Sequence, residues 1–364
     1  MNTGVGSIAA LKSSAAGQPS TDMEDGGLVP IPPSQSVIHL PADQYLHRGA
    51  PTEWWWHIGT LKAGDRTFGF EINAASFQAF GFTQVMLTDV DRNHHFQQTT
   101  QCLRPPFEPD GWAEHDTAQD WFVKLGEVTM HAPQSDPTGH MRVTAQLVDE
   151  GTGTKVAFDL TLSQEGPPFI VWGTGVRPPP PPKPDLRRNN FYYSLTRLAA
   201  SGSIAIGDEK LEVTGVTWMD HEYGFFGTQE QRPKWILQDM QLGNGVCISN
   251  YTTRPPELDQ KTASQATVQR ADGTTYFVRS FVTPMGATWT SPATLVTYFM
   301  QLKVEIPAFE ATLFVSSLVD SQEFPVQGAP VYEGVARAVG TFEGEEVSGT
   351  AWNEQTMQPK ASAP

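Results

Sequence analysis

The sequence MRVTAQL at residues 141–147 places an apolar side chain at every second position, and VAFDLTL at residues 156–162 repeats the pattern. Successive side chains of a β-strand point to opposite faces, so a period of two predicts strands with one buried face. The same alternation recurs at Phe68/Phe70/Ile72, Leu211/Val213, Val246/Ile248, Tyr298/Met300/Leu302/Val304/Ile306 and Leu313/Val315. Strands of this kind fit a β-barrel or a β-sandwich.

The composition is typical of a turn-rich β protein. The 364 residues include 32 Gly, 29 Pro, 10 Trp and 20 Phe, and charged residues make up only 18%. Turn pairs such as Asp272-Gly273 lie between candidate strands, as hairpins require. A chain of this length suits two domains or one large two-part structure. We therefore predict an all-β fold of two antiparallel β-barrel or sandwich domains in tandem, with few long helices.

A proline run at residues 177–184 supplies the predicted boundary between the two domains. Proline cannot donate the hydrogen bonds of a central strand, and consecutive prolines adopt an extended polyproline structure. We interpret the run as a stiff connector; a ligand for a proline-recognition module is the alternative. The predicted organisation is a disordered tail at 1–35, a β domain at 36–176, a linker at 177–190 and a second β domain at 191–358.

The net charge of −16 argues against binding to nucleic acid or to anionic lipid, because an acidic surface releases no counterions from either polyanion. An apolar small molecule is the expected partner. The first 29 residues lack a basic start followed by a sustained apolar run, so no signal peptide is predicted. No stretch is apolar enough to cross a bilayer. We expect a soluble protein without integral membrane association, cytoplasmic or otherwise, with secretion left open.

One heptapeptide, Trp218-Met219-Asp220-His221-Glu222-Tyr223-Gly224, places ionisable groups in an aromatic and apolar frame. Burial disfavours the charged form of a carboxyl group, so Asp220 can keep its proton near neutral pH and deliver it to a weakly basic substrate. Asp220 is therefore the predicted acid catalyst. The alternative is that Asp220, His221 and Glu222 form only a polar turn between two strands.

Metal-dependent and nucleophilic hydrolysis find little support in the chain. His221-Glu222 begins like a zinc-protease helix motif, but position 225 is Phe where the second histidine would stand. The sequence contains no Gly-x-Ser-x-Gly nucleophile elbow and no glycine-rich dinucleotide or phosphate loop. We predict no metal and no cofactor.

Aromatic side chains and a second carboxylate extend the candidate site. Strand alternation directs Glu53, Trp55 and His57 to one face, where they either pack as core or enclose an apolar ligand. Glu71 lies between Phe70 and Ile72 on the face opposite to theirs. If that face is a barrel interior, Glu71 is functional, and if it is the exterior, Glu71 is solvated.

Several blocks of the sequence together resemble the lipocalin-like family of carotenoid 1,2-hydratases (hydroxyneurosporene synthases), which is similar to kievitone hydratase and, more distantly, to lipocalin-like pericyclases. The blocks, in the order of that family, are Glu53-Trp54-Trp55-Trp56, Tyr192-Tyr193-Ser194 with Arg197, Gly215 to Gly224, Trp235, Tyr332-Glu333-Gly334 and Gly349-Thr350-Ala351-Trp352-Asn353-Glu354. The resemblance implies two lipocalin-like β domains with a ligand site between or within them.

The resemblance also implies a reaction, the hydration of an isoprenoid double bond to a tertiary alcohol with Asp220 as proton donor. We expect Glu71 and Tyr193 to assist Asp220. The predicted substrate-binding residues are Glu53, Trp55, His57, Tyr192, Trp218, His221, Glu222, Tyr223 and Trp235. Two alternatives remain: a cyclase or isomerase that uses the same pocket, and a non-catalytic carrier of lipophilic ligands. A prenylated phenol or a short terpenoid is the favoured substrate.

Overall fold

The computed structural model describes residues 28–77, 80–103, 119–177, 184–226, 234–253, 256–326 and 329–357. These ranges contain 23 strands, β1 to β23, and three short 3-10 helices at Pro33–Gln35, Ala42–Gln44 and Pro307–Phe309, but no α-helix. The all-β fold predicted from the period of two is confirmed. Residues 1–27, most of the predicted tail, and residues 178–183 of the predicted linker lie outside the described ranges.

The first sheet has twelve antiparallel strands and forms a barrel-like wall. Its main order is β4-β3-β2-β1-β12-β11-β8-β7-β6-β5, with β9 and β10 also paired to β11. The strands are β1 (Thr52–Ala63), β2 (Arg66–Ser76), β3 (Phe80–Asp89), β4 (His94–Leu103), β5 (Trp121–Leu125), β6 (Val128–Ala132), β7 (His140–Val148), β8 (Lys155–Gln164), β9 (Phe169–Ile170), β10 (Val176–Arg177), β11 (Asn190–Ile206) and β12 (Glu209–Gly224).

The second sheet has nine strands, and eight of them close into a barrel. Its order is β20-β19-β16-β15-β14-β13-β23-β22-β21, and β20 also pairs with β22. That last pairing closes the ring at the strand number of lipocalin barrels. The strands are β13 (Trp235–Leu242), β14 (Cys247–Thr252), β15 (Thr262–Gln269), β16 (Thr275–Pro284), β19 (Gln301–Ile306), β20 (Ala311–Ser317), β21 (Glu323–Phe324), β22 (Val331–Phe342) and β23 (Glu345–Thr356), while β17 (Thr288–Thr290) and β18 (Thr297–Phe299) form a separate pair.

The two sheets divide the chain at a different place from the predicted linker. β11 and β12, which the sequence assigned to the second domain, pair with β8 and β1 of the first sheet. β10 pairs with the start of β11, so both flanks of the proline run belong to the first sheet. The first sheet ends at Gly224 and the second begins at Trp235. The proline run therefore interrupts one sheet, and it does not separate the two.

Part of the predicted N-terminal tail is ordered. The backbone N–H of Ile31 donates to the carbonyl of Thr275 in β16, at 2.8 Å. The segment that follows carries Ile38 and Tyr45 into the core of the first barrel. Residues 28–35 thus bridge to the second barrel before the chain enters the first.

Four apolar clusters lie in the described ranges, and the smallest joins Val296, Tyr298, Met300 and Tyr332. One fills the first barrel and a second fills the closed barrel. The third lies between the two sheets and joins Trp54 and Trp56 of β1 to Val335 and Trp352 of the second barrel. The sheets approach so closely at Gly69 that a Cβ atom there would lie 2.4 Å from Cβ of Val335. β1 is therefore buried on both faces, one toward its own barrel and one toward the neighbouring barrel.

Candidate functional site

Strands β1, β11 and β12 bring the predicted site residues together and sort them onto two faces. In the antiparallel register, Trp54 lies opposite Glu222 and Trp56 lies opposite Asp220. Tyr192 in turn lies opposite Glu222. Directly opposed residues share a face. These five side chains therefore point away from the first barrel, toward the second sheet.

A cavity lies between the two sheets on this shared face, with an empty volume of about 820 Å³ when its open mouth is included. Apolar and aromatic side chains make up most of its wall, and polar groups project into it at a few places, as in small-molecule sites generally. Its walls are formed by Trp54, Trp56, Ile58, Arg177, Asn190, Tyr192, Asp220 and Glu222 of the first sheet, by Val171 and Trp172 between β9 and β10, and by Trp235, Leu237, Ser249, Tyr251, Gln265, Thr267, Phe277, Glu333 and Glu354 of the second sheet.

Asp220 is a buried acid in the wall of this cavity. Its side chain is only 7% exposed, and one carboxylate oxygen accepts hydrogen bonds from Ser194 Oγ at 2.6 Å and from Trp218 Nε1 at 2.7 Å. Burial raises the pKa of Asp220 to about 6; these two donors and Tyr192 act in the opposite direction, and the charge of Glu354 acts with burial. At pH 7 roughly one tenth of Asp220 is then protonated. This carboxyl group can both give and take a proton near neutral pH.

Three further carboxylates line the cavity, each held by a neutral N–H donor. Asn190 Nδ2 donates to Glu222 at 2.6 Å. Indole N–H groups hold the other two: Trp235 Nε1 donates to Glu354 at 2.7 Å, and Trp352 Nε1 donates to Glu333 at 2.8 Å. Glu333 and Glu354 lie directly opposite each other on β22 and β23. The second barrel thus contributes two carboxylates that face the acid of the first.

The opposite face of the same strands points into the first barrel and carries other predicted residues. The side chains placed there are Glu53, Trp55, His57, Tyr193, His221 and Tyr223, none of which is among the residues that line the cavity. Their sequence neighbours line it, because adjacent residues of a strand face opposite sides. The prediction that these six residues act on the substrate of this cavity is therefore revised.

Inside the first barrel these residues form a hydrogen-bonded cluster around Glu53. Glu53 Oε1 lies 2.8 Å from His47 Nδ1 and 2.9 Å from His221 Nε2. Tyr193 bonds to His221 Nδ1 at 3.2 Å and to Gln44. Because their ligand atoms all lie within 4.8 Å of one another, His47, Glu53 and His221 could hold a metal ion. The hydrogen bonds among them already satisfy these groups as a structural network.

Charge in this inner cluster is concentrated on one pair. Burial acts to raise the pKa of Glu53, but the charge of His47 and the hydrogen bonds of both histidines outweigh it and lower that pKa to about 2. Burial likewise acts to lower the pKa of His47, yet Glu53 and Asp43 raise it to about 9. His221 is different, since burial lowers its pKa. The cluster is an ion pair of Glu53 and His47, with Asp43 as a second carboxylate on His47 and His221 as the second partner of Glu53.

Aromatic packing explains the remaining inner residues. Trp55 stacks on His221 with ring centroids 4.6 Å apart, and Tyr223 stacks on His47 at 3.6 Å. His57 is fully buried, and burial lowers its pKa to about 3, so its ring is neutral. Trp55 and Tyr223 thus pack against the two histidines of the inner cluster.

Glu71 occupies neither of the two environments expected for it. It lies opposite Ile58 on β2, on the outer face of the first sheet, and is completely buried because the second sheet covers that face. It is not among the residues that line the cavity. The expected assistance of Glu71 and Tyr193 to Asp220 is therefore not supported by their positions.

Of the predicted residues, Asp220, Tyr192, Glu222 and Trp235 meet in the cavity, and Trp218 reaches Asp220 from beside it. Sequence reasoning did not assign Trp54, Trp56, Arg177, Glu333 or Glu354 to the site. Trp54 and Trp56 carried a usable signal, since they alternate with Trp55. Glu333 and Glu354 stand in two of the family blocks quoted above. Arg177 was assigned to the predicted linker because it begins the proline run.

Comparison with known proteins agrees with this architecture. The family model of the AttH-like proteins matches residues 31–356. A search of curated proteins gave no match. Among solved structures, an AttH of Nitrosomonas europaea is 22% identical, with a TM-score of 0.71 over 90% of this chain and 99% of that one. Kievitone hydratase of Nectria haematococca is 18% identical, with a TM-score of 0.69 over 96% and 98%. Both likenesses show a shared fold.

Within the described ranges, no helix has the length and apolar character needed to traverse a lipid bilayer.

Proposed function

The chain belongs to the AttH-like family, and from that premise we propose that it is a hydratase that adds water to the double bond of a prenyl or isoprenoid side chain. The observation that carries the proposal is Asp220, a buried acid with a pKa raised to about 6 in the wall of an aromatic cavity. The fold shared with kievitone hydratase supports the same reaction class.

The first step is protonation of the alkene. The proton of Asp220 is transferred to the less substituted carbon, the π electrons form the new C–H bond, and a tertiary carbocation and the Asp220 carboxylate remain. The rings of Trp54 and Trp56, with centroids 6.5 Å apart, present the π systems that stabilise a cation. The nearby carboxylates of Glu222 and Glu354 add favourable electrostatics.

The second step is capture of the cation by water. The water oxygen forms a bond to the tertiary carbon, and the resulting oxonium loses one proton to a cavity carboxylate, either Asp220 itself or Glu222 or Glu354. The sum is the addition of one water molecule, without a cofactor. A single carboxyl group that titrates near pH 6 suits both proton transfers, because its two forms are close in free energy at working pH.

The test is product analysis in ¹⁸O-labelled water with purified wild type and Asp220→Asn. Substrates are a small panel of prenylated phenols and acyclic terpenoids. We expect wild type to form a tertiary alcohol carrying one labelled oxygen, and Asp220→Asn to lose at least about 100-fold in rate, the lower end for a general acid. Asp149→Asn is the control, because Asp149 is also buried but bonds Gln97 and Thr152 away from the cavity.

Other outcomes identify the rival functions. An unlabelled product of unchanged mass would mean cyclisation or isomerisation in the same cavity. Binding of several panel members without any product, and with equal affinity in Asp220→Asn, would mean a carrier. Hydration by a folded Asp220→Asn at the wild-type rate would refute the role of Asp220.

A further inference from the structure

Arg177 is the cation of the cavity wall. It ends β10 and extends into the space between the sheets, where its guanidinium carbon lies over two aromatic rings, 5.0 Å from the centroid of Trp172 and 4.8 Å from that of Phe277. Its Nη2 donates to Gln265 Oε1 at 2.6 Å. Burial lowers the pKa of Arg177 to about 10, which leaves it charged at neutral pH. Two rings and one neutral amide thus surround a charged group.

In the described ranges no carboxylate forms an ion pair with Arg177, although four carboxylates line the same cavity. A guanidinium has five N–H donors, and the bond to Gln265 uses one of them. A partly buried charge without a counter-ion is costly, and proteins compensate such charges with a partner or a ligand. The remaining donors of Arg177 therefore suit an anionic group that enters the cavity.

The cation and the acid stand at different ends of the cavity. Arg177 pairs with Asn190, and Asn190 pairs with Gly224, whereas Asp220 lies four residues earlier on the same strand. Strand spacing and rise then put the two backbones about 10 Å apart across the sheet and about 13 Å along it. Both side chains extend into the cavity, so a ligand of moderate length can contact both. Across from them, Gln265 and Phe277 belong to β15 and β16, while Glu354 belongs to β23, three strands from β15.

We propose that Arg177 binds an oxyanion, a carboxylate or a phenolate, on the planar head of the substrate. The head lies at the Arg177 end, and the isoprenoid tail extends to Asp220. This assignment of the tail rests on the proposed hydratase function. A planar oxyanion is favoured because the remaining N–H donors of the guanidinium lie in one plane, and a carboxylate or phenolate oxygen can accept from them within that plane.

The experiment measures binding, so it is independent of turnover. The probes are para-prenylbenzoate and para-prenylbenzamide, which have nearly the same shape and differ in charge at neutral pH. Dissociation constants come from titration calorimetry with wild type, Arg177→Met, Arg177→Lys and Arg270→Met. Arg270 is the matched control, because it also lies over two rings, Tyr276 and Phe309, but belongs to an exposed ion pair with Glu343.

Wild type should bind the benzoate at least about tenfold more tightly than the benzamide, the effect of one charge-assisted hydrogen bond. Arg177→Met should bring the two constants within about twofold, Arg177→Lys should retain part of the preference, and Arg270→Met should keep all of it. Equal affinities in wild type, an equal loss for both probes in Arg177→Met, or no binding of either probe at millimolar concentration would overturn the proposal. Asp220→Asn should keep the preference, so a failure of the hydratase assignment is seen separately.

Discussion

Replacing Trp218 by Phe should raise the pKa of Asp220 above its present value of about 6. The indole N–H donates to the carboxylate at 2.7 Å, and a donor of this kind stabilises the ionised form. A hydrogen bond to a charged group contributes about 1.5–3 kcal/mol, and one pKa unit corresponds to about 1.4 kcal/mol. Loss of the indole bond should therefore raise the pKa of Asp220 by about one to two units, to about 7–8. The hydrogen bond from Ser194 stays in place and continues to favour the ionised form.

The consequence at neutral pH is a larger protonated fraction. It should grow from roughly one tenth in wild type to about one half or more in Trp218→Phe at pH 7. The alkaline limb of the pH profile of kcat/KM for hydration should shift upward by about one to two units. A ¹³C-NMR titration of labelled aspartate measures the same pKa without any substrate, so the prediction does not depend on turnover.

Trp352→Phe is the matched control, since it removes an indole N–H from Glu333 in the same cavity and leaves the donors of Asp220 in place. The pKa of Asp220 in Trp352→Phe should differ from that in wild type by less than about half a unit. A Trp218→Phe midpoint at or below that of wild type, in a variant that folds, would refute the reasoning. An equal shift in both Trp→Phe variants would mean that loss of bulk, and not loss of the hydrogen bond, controls the acid.

Two predictions concern stability. Gly69→Ala should lower the free energy of unfolding, measured in urea, by about 1–3 kcal/mol, because its new Cβ would lie 2.4 Å from Val335 and force the sheets apart. The control is Gly151→Ala, whose new Cβ would have its nearest neighbour 3.5 Å away and which should change the free energy of unfolding by less than about 1 kcal/mol. Equal effects of the two substitutions would contradict a tight contact at Gly69. His47→Gln should lower the free energy of unfolding by up to about 3 kcal/mol below pH 6.5, and its stability should approach that of wild type above pH 9. The reason is that a histidine pKa raised in the folded state stabilises the fold at low pH, and this stabilisation is lost as the pH passes the folded-state pKa of about 9. A difference between His47→Gln and wild type that stays constant from pH 6 to pH 10 in urea melts would exclude the ion pair with Glu53.

The fold class could be predicted from the sequence because burial in a sheet leaves a local period. Met141, Val143 and Leu147 show it, and the structure places all three inside the first barrel. The boundary could not be predicted the same way. The proline run marks where a strand is interrupted, but the pairing of Arg177 with Asn190 on its far side depends on contacts between distant strands.

The candidate site was predicted in part, for the same physical reason. Alternation correctly places Glu53, Trp55 and His57 on one face, opposite Tyr223, His221 and Met219. It does not tell which face borders a cavity, because both faces of β1 are buried and both are rich in aromatic residues. Glu71 shows the same limit. The second sheet buries it, and β22, the strand of that sheet that approaches β2, begins more than 250 residues later in the chain.

Asp220 and His221 are chain neighbours, yet one faces the space between the barrels and the other faces the interior of the first. A single-residue insertion or deletion in β12 ahead of Asp220 would turn the side chain of every following residue of the strand to the opposite face of the sheet. It would move an imidazole into the cavity and a carboxyl group into the inner cluster. Changes of two residues keep each side chain on its own side. Natural relatives should therefore vary in the length of this strand by even numbers, with odd changes confined to the loops.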